Sequence, residues 1–309
     1  MVGRPAARAT DSQRAVVDGL PPQFLVGIVL ILVAWPLAWS RLQPFSEFTF
    51  FPLWLGYILT VDGMTWLRRG ESLLTRQWRR FGLLFVLSVP LWWLFEYANG
   101  VLDNWRYVQA RGWDSVANTA LASLAFSTVM PALFVTAEFY RTFAFFDRPR
   151  RWIRIALTRP WLVLIAALGL GMFILSLVAP RQAFPLVWLG VFFMLDPINA
   201  LTGSKSLAEE VAEGRWDTLL VLFAAGLTCG FFWEMWNVRS LPKWVYHVPY
   251  VGGPKLFEMP WLGYGGYLPF ALEVYAAYHL LHGLLFRQRD SYVRFDAAGT
   301  DDRTERSGR

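Results

Sequence analysis

This 309-residue chain is predicted to be an all-α polytopic membrane protein of about eight spans, built as two parallel four-helix repeats. Three observations carry that prediction. Hydrophobic residues make up 55% of the chain and charged ones only 17%, a balance suited to lipid rather than water. A series of residues occurs twice in one order: Phe51, Pro52, Trp54, Leu55, Gly56, Asp62, Ser72, Leu73, Trp78, Glu96, Asn99, Trp105, Tyr107 and Pro131 return as Phe184, Pro185, Trp188, Leu189, Gly190, Asp196, Ser206, Leu207, Trp216, Glu234, Asn237, Trp244, Tyr246 and Pro269, at offsets of 133 to 139. Finally, Lys and Arg collect in the gaps between apolar runs, where they orient a protein in its membrane.

The apolar runs cover 23–40, 48–66, 81–99, 115–140, 160–179, 184–202, 217–237 and 260–286, each near the ~20 residues that a helix needs to cross the hydrocarbon. A polar segment, 1–22, precedes the first run, which lacks a small-residue cleavage site and is read as a retained span, with a secretory signal as the runner-up. The repeats then occupy 23–140 and 160–286, joined by a basic linker, 141–159. Within the fourth run, Ser115 to Ser127 is rich in Ala, Ser and Thr, which suits packing against helices more than lipid. The loop from Arg239 to Pro260 is aromatic and proline-containing and predicts little regular structure. Extra residues around Ala208 to Arg215 add about one helical turn to a connection in the second repeat. The polar tail, 287–309, predicts disorder.

With both termini inside, 22 of the 29 Lys and Arg residues fall on the cytoplasmic side, including the cluster Arg148, Arg150, Arg151 and Arg154. This predicts an N-in, C-in protein of the cell inner membrane. The same placement accounts for the net charge of +6 without nucleic acid. Long apolar runs exclude an outer-membrane barrel. Four spans per repeat, an even number, insert both halves in the same direction, so a pseudo-twofold axis should run along the membrane normal.

The sharpest motif is Glu-x-x-Asn near the exterior ends of the third and seventh runs, as Glu96 with Asn99 and Glu234 with Asn237. A spacing of three shares one helical face, so each Asn is expected to donate to its carboxylate or to orient it. If Glu96 and Glu234 approach closely, repulsion between like charges favours one shared proton. The competing reading is that both acids simply hold helices together. Trp92, Trp93, Trp233 and Trp236 neighbour the motif and could bind an extended apolar substrate or a developing cation. The other tryptophans are assigned to interfacial anchoring.

A second pair, Asp62 and Asp196, lies near the cytoplasmic ends of the second and sixth runs. Each is a candidate binding residue, though an Asp that meets an Arg of the cytoplasmic loops is the favoured reading. Glu273, near the middle of the eighth run, has no acidic counterpart in the first repeat and no Lys or Arg in its own span. It must be protonated, solvated in a cavity or hydrogen-bonded from other helices.

His279 and His282 have chelating spacing but no third ligand, so no metal site is assigned and they are read as interface residues. The lone Cys229 forms no intrachain disulfide. With no nucleotide-binding or zincin motif, no cofactor is predicted. The expected partners are membrane lipids and an apolar or amphipathic small molecule; the oligomeric state is left open.

The candidate catalytic residues are therefore Glu273, Glu234 and Glu96, and the candidate binding residues are Asn237, Asn99, Trp93, Trp233, Trp236, Asp196 and Asp62. Three functions compete: an enzyme acting on a lipid or isoprenoid by acid/base chemistry, a proton-coupled transporter or flippase, and a non-catalytic scaffold.

Overall fold

The computed structural model describes residues 19–109, 115–290 and 292–295. The N-terminal polar segment up to residue 18 and the tail beyond 295 lie outside them. Helices occupy all eight apolar runs: α1 (Pro22–Ser40), α2 (Phe50–Arg69), the short α3 (Leu73–Arg76), α4 (Trp78–Leu102), α5 (Ser115–Phe126), α6 (Val129–Tyr140), α7 (Arg159–Val178), the one-turn α8 (Pro180–Ala183), α9 (Leu186–Thr202), α10 (Leu207–Ala212), α11 (Asp217–Asn237) and α12 (Tyr267–Phe286). Among the described residues, five stretches are long and apolar enough to cross a membrane: α1, α4, α5 with α6, α7 and α11. The chain is thus a helical membrane protein with carboxylates buried inside it.

Burial explains which helices are most apolar. The only buried residues of α1 are Gly27, Ala34 and Ala38, and those of α7 are Gly169 and Ser176. These two helices present nearly all of their surface outward. By contrast, α12 is buried without a break from Phe270 to His279, so its polar groups are kept from lipid. The outer helices are held by glycine crossings, α1 on α2 and α7 on α9. A Cβ at Gly27 would stand 2.7 Å from the Gly56 carbonyl oxygen, and one at Gly169 2.8 Å from that of Gly190. Only glycine allows this approach of two backbones, which gives the Gly56 and Gly190 of the repeated series a physical role.

The fourth run departs from expectation. Instead of one helix over 115–140, α5 ends at Phe126 and α6 begins at Val129. Ser88 of α4 spans the break, donating to the Phe126 carbonyl oxygen at 2.5 Å and accepting from the Met130 amide at 3.1 Å. Backbone groups freed inside a membrane need such partners. The Ala/Ser/Thr-rich α5 has no buried residue, whereas α6 is buried from Val129 to Glu138.

The all-α expectation also misses two small antiparallel ribbons. β1 (Trp105–Val108) pairs with β2 (Lys243–Tyr246), so the loop expected to lack regular structure contains a strand; β3 (Lys255–Leu256) pairs with β4 (Met259–Pro260). In the first ribbon Trp105 faces Tyr246, Arg106 faces Val245 and Tyr107 faces Trp244. The two occurrences of Trp-x-Tyr therefore pair with one another.

At the end of the bundle away from this ribbon, Asp62 and Asp196 cap short helices. Asp62 accepts from the Ser72 hydroxyl at 2.7 Å and the Leu74 amide at 3.1 Å. Asp196 accepts from the amides of Leu207 and Ala208 at 2.8 and 2.9 Å. Both carboxylates take up orphan amides of α3 and α10, which attract negative charge; among the described residues the expected Arg acts on Asp62 alone, as the charge of Arg76. The extra residues are divided: α10 has six residues where α3 has four, and the remainder lengthen the link from Ala212 to Asp217 rather than adding a full helical turn.

The expectation of a disordered tail is corrected for its described part. Tyr292, Val293 and Phe295 are buried. Phe295 sits edge-on against Phe134 and Tyr275, with ring centroids 4.9 and 5.2 Å away. The Tyr292 hydroxyl donates to the Leu73 carbonyl oxygen at 2.8 Å, and the Arg294 amide donates to Glu138. Three apolar side chains in four residues outweigh the polar composition around them. Phe295→Ala should lower stability by about 3 kcal/mol, the low end for emptying a buried aromatic site. The unfolding midpoint of the full-length protein in detergent measures this, and an unchanged midpoint would mean that the segment is not seated.

Candidate functional site

A cavity of about 830 Å³ lies at the end of the bundle where α2, α9 and α12 begin and α4 and α11 finish. Strands β1 and β2 contribute to its wall, and α5 supplies one side with Asn118, Thr119, Ala122 and Ala125. Eight of the 17 tryptophans line it. Interfacial anchoring therefore accounts for a smaller share of them than their placement in the sequence suggests.

Glu96 lines the cavity, and its Oε1 collects three donors. The Trp92 indole lies at 2.9 Å, the Trp105 indole at 3.2 Å and the Tyr107 hydroxyl at 2.5 Å. None of the three engages Oε2. Helix α4 brings Trp92 one turn before Glu96, and the ribbon returns Trp105 and Tyr107 over the end of that helix.

Glu234, the matching residue, is held differently. It is 0% exposed and stands behind the cavity wall. Its Oε1 accepts from the hydroxyls of Tyr246 at 2.6 Å and Tyr267 at 2.7 Å, while Oε2 is buried with no hydrogen-bond partner. The Trp244 indole, unlike that of Trp105, donates to Tyr246 at 2.9 Å rather than to the carboxylate. At the position corresponding to Trp92 stands Gly230. A Cβ there would lie 2.4 Å from the Tyr267 ring, so the indole of one copy is exchanged for a phenol that enters from α12 in the other.

The asparagines differ from expectation. Asn99 donates to the Trp105 carbonyl oxygen at 2.8 Å and accepts from the Asn104 and Trp105 amides. Asn237 donates to the Trp244 carbonyl oxygen at 2.8 Å and accepts the Trp244 amide at 2.9 Å. Both fasten the strand that follows the helix, and the carboxylates take their donors from indoles and phenols instead. No hydrogen bond joins Glu96 to Glu234 among the described residues. A layer of rings intervenes, with Phe270 5.8 Å from Trp92 and 5.9 Å from Trp233. The direct approach required for a shared proton is therefore not made.

Of the sequence candidates, Glu96, Trp93, Trp233, Trp236 and Asn237 meet at the cavity. Asn99, in the last turns of α4, is not part of the lining and fastens the start of β1. Asp62 and Asp196 are at the far end with the short helices. Glu273 is 0% exposed, absent from the lining, and neither oxygen has a hydrogen-bond partner among the described residues. His282 Nε2 stands 3.6 Å from Asp290, and among the described residues no group of three or more His, Cys, Asp or Glu could hold a metal. Sequence reasoning left Tyr107, Tyr246, Trp105 and Trp188 out of the site, although the repeated series contains all four. Tyr267 carried no such signal.

Tyr107 as a residue is 44% exposed, but exclusion of water from its hydroxyl and the charge of Glu96 beside it raise the phenol well above its ordinary value; burial next to Glu234 does the same to Tyr246. A raised folded-state value favours the neutral phenol. Its stabilising contribution is complete below about pH 10, the free tyrosine value, and is lost as pH rises through the folded value. In an alkaline absorbance titration, Tyr107→Phe and Tyr246→Phe should each remove phenolate signal from the late wave and leave the first wave unchanged. Gly230→Ala should lower stability by about 1–3 kcal/mol through collision with the Tyr267 ring. Gly171→Ala, where an added Cβ meets nothing within 4 Å, serves as the control by unfolding midpoint.

Compared with family models, curated proteins and solved structures, the chain matches none, so the chemistry of the site is argued from its own geometry.

Proposed function

We propose that this protein is an intramembrane enzyme that acts on a lipid or isoprenoid by acid/base chemistry, with Glu96 as the group that exchanges a proton with the substrate. One observation carries the reading: a large aromatic cavity contains a carboxylate whose three donors all occupy one oxygen. Donors on Oε1 fix the orientation of the carboxylate and leave Oε2 for proton transfer, which requires hydrogen-bond reach of the substrate. Glu234 is assigned a supporting role, holding Tyr246 and Tyr267 against the cavity. Glu273 is assigned to the helix interior rather than to the reaction.

The proposal includes the architecture around the site. Eight spans form two parallel units, 23–140 and 160–286, related by a pseudo-twofold axis along the membrane normal, with both termini on the cytoplasmic side of the inner membrane. The matched glycine crossings and the self-pairing of Trp-x-Tyr support this. On that orientation the cavity faces the exterior. Membrane lipids are the expected surroundings and the source of substrate.

Purified protein incubated with cell lipid extract should change the lipid profile by mass spectrometry. Glu96→Gln should reduce turnover at least a hundredfold, the lower end for a general acid or base, while Glu273→Gln should retain it. Turnover lost in Glu273→Gln but kept in Glu96→Gln would reverse the assignment. A proton-coupled transporter or flippase is the second reading, favoured by a cavity at one end of the bundle and carboxylates at several depths. No lipid conversion together with proton-gradient-dependent uptake in proteoliposomes would select it.

A further inference from the structure

Arginines and large apolar side chains are interleaved in the connection from α6 to α7. Residues 148–161 contain five arginines and no acidic residue. Among them Trp152, Ile153, Ile155 and Trp161 are all exposed, Trp152 by 69%. Large apolar side chains gathered in one exposed patch mark a surface that meets something other than water.

The main chain of this connection is fastened to the link between α10 and α11. The Trp152 amide donates to the Gly214 carbonyl oxygen at 2.9 Å, and the Ile155 amide donates to that of Val211 at 3.1 Å. In return, Trp216 donates its amide to the Arg150 carbonyl oxygen and its indole to that of Ile153, both at 2.9 Å. Gly214 allows the contact: its φ is +77°, and an added Cβ would stand 3.0 Å from the Trp152 carbonyl oxygen. Bonds made through the main chain hold the connection in place while its side chains stay exposed.

Its position decides what those side chains meet. The connection runs directly into α7, whose first residue is Arg159 and whose only buried residues are Gly169 and Ser176. A helix that gives nearly all of its surface to lipid begins at the level of the headgroups. At that level a guanidinium matches a phosphate through two parallel hydrogen bonds, and tryptophan settles between water and acyl chains. Basic clusters next to a spanning helix attract anionic lipid for the same reason.

We propose that residues 148–161 form a docking surface for anionic phospholipid, with Arg151 and Arg154 on the headgroup phosphates and Trp152, Ile153 and Ile155 at the acyl boundary. The isoleucines favour a bilayer over a nucleic acid, whose phosphates would satisfy the arginines and leave the apolar side chains in water. None of these residues lines the cavity. The surface therefore stands apart from the chemistry assigned to Glu96.

The test uses the full-length protein reconstituted in vesicles of phosphatidylcholine, alone or mixed with phosphatidylglycerol. Electron paramagnetic resonance of spin-labelled lipids measures which lipid the protein immobilises. In the unaltered protein, labelled phosphatidylglycerol should associate at least threefold more strongly than labelled phosphatidylcholine. Arg151→Gln with Arg154→Gln should reduce that preference by at least half. Arg79→Gln with Arg287→Gln, two exposed arginines at the same end of the bundle, should retain it. An environment-sensitive fluorophore on Ile153→Cys should emit further to the blue when phosphatidylglycerol is present; the native Cys229 is buried away from the label.

No lipid preference in the unaltered protein would overturn the proposal. Equal losses in the two double variants would overturn it as well, by assigning the preference to the basic rim as a whole. Emission from position 153 that matches water in both kinds of vesicle would place the connection off the membrane, with the same result.

Discussion

Away from water, a carboxylate can be kept only where something inside the protein donates to it, and this requirement shapes the cavity end of the molecule. Helix α4 and helix α11 each end within two turns of a glutamate, and in each case the chain turns back as a strand that delivers aromatic donors to that acid. The asparagine three residues on fixes where the strand starts. Pairing of the two strands joins both assemblies, so the donors of one glutamate are aligned with those of the other. The aromatic wall is thus partly a by-product of satisfying two buried acids.

Near-identical local sequence nevertheless produces two different environments. In one copy a tryptophan from the same helix completes the donor set and the acid stays half-buried at the cavity. In the other, a glycine admits a tyrosine from α12, the acid withdraws behind the wall, and Oε2 is sealed from it. The exchange of Trp92 for Gly230 with Tyr267 is a coupled change of volume and of donor. It leaves one carboxylate facing the cavity where the repeated motif alone would suggest two.

Much of this was legible in the sequence because bilayer thickness imposes a length on each helix and leaves little freedom in where the apolar runs begin and stop. Glu96, Trp93, Trp233 and Trp236, which line the cavity, stand out in the sequence because charge and aromatic rings are conspicuous in an apolar helix. The role of the asparagines was not legible: helical spacing places them on the face of the glutamate, but it is blind to the strand that claims their amides. The capping contacts of Asp62 and Asp196 were not legible either, since the short helices they cap are too brief to register as periodicity. The break at Ser127 and Thr128 escaped because the side chain that makes it tolerable, Ser88, comes from another helix. Nor does composition reveal that Tyr292, Val293 and Phe295 find a socket.

That socket has a bearing on the order of assembly. Tyr292 meets Leu73 across a separation of 219 residues, while Phe295 rests on α6 and α12 and its carbonyl oxygen accepts from Thr218 of α11 at 3.5 Å. Closing so long a loop is entropically slow. The helices can insert one after another during synthesis, but the far end of the bundle acquires its final packing only once residues 292–295 have followed α12 and reached their socket.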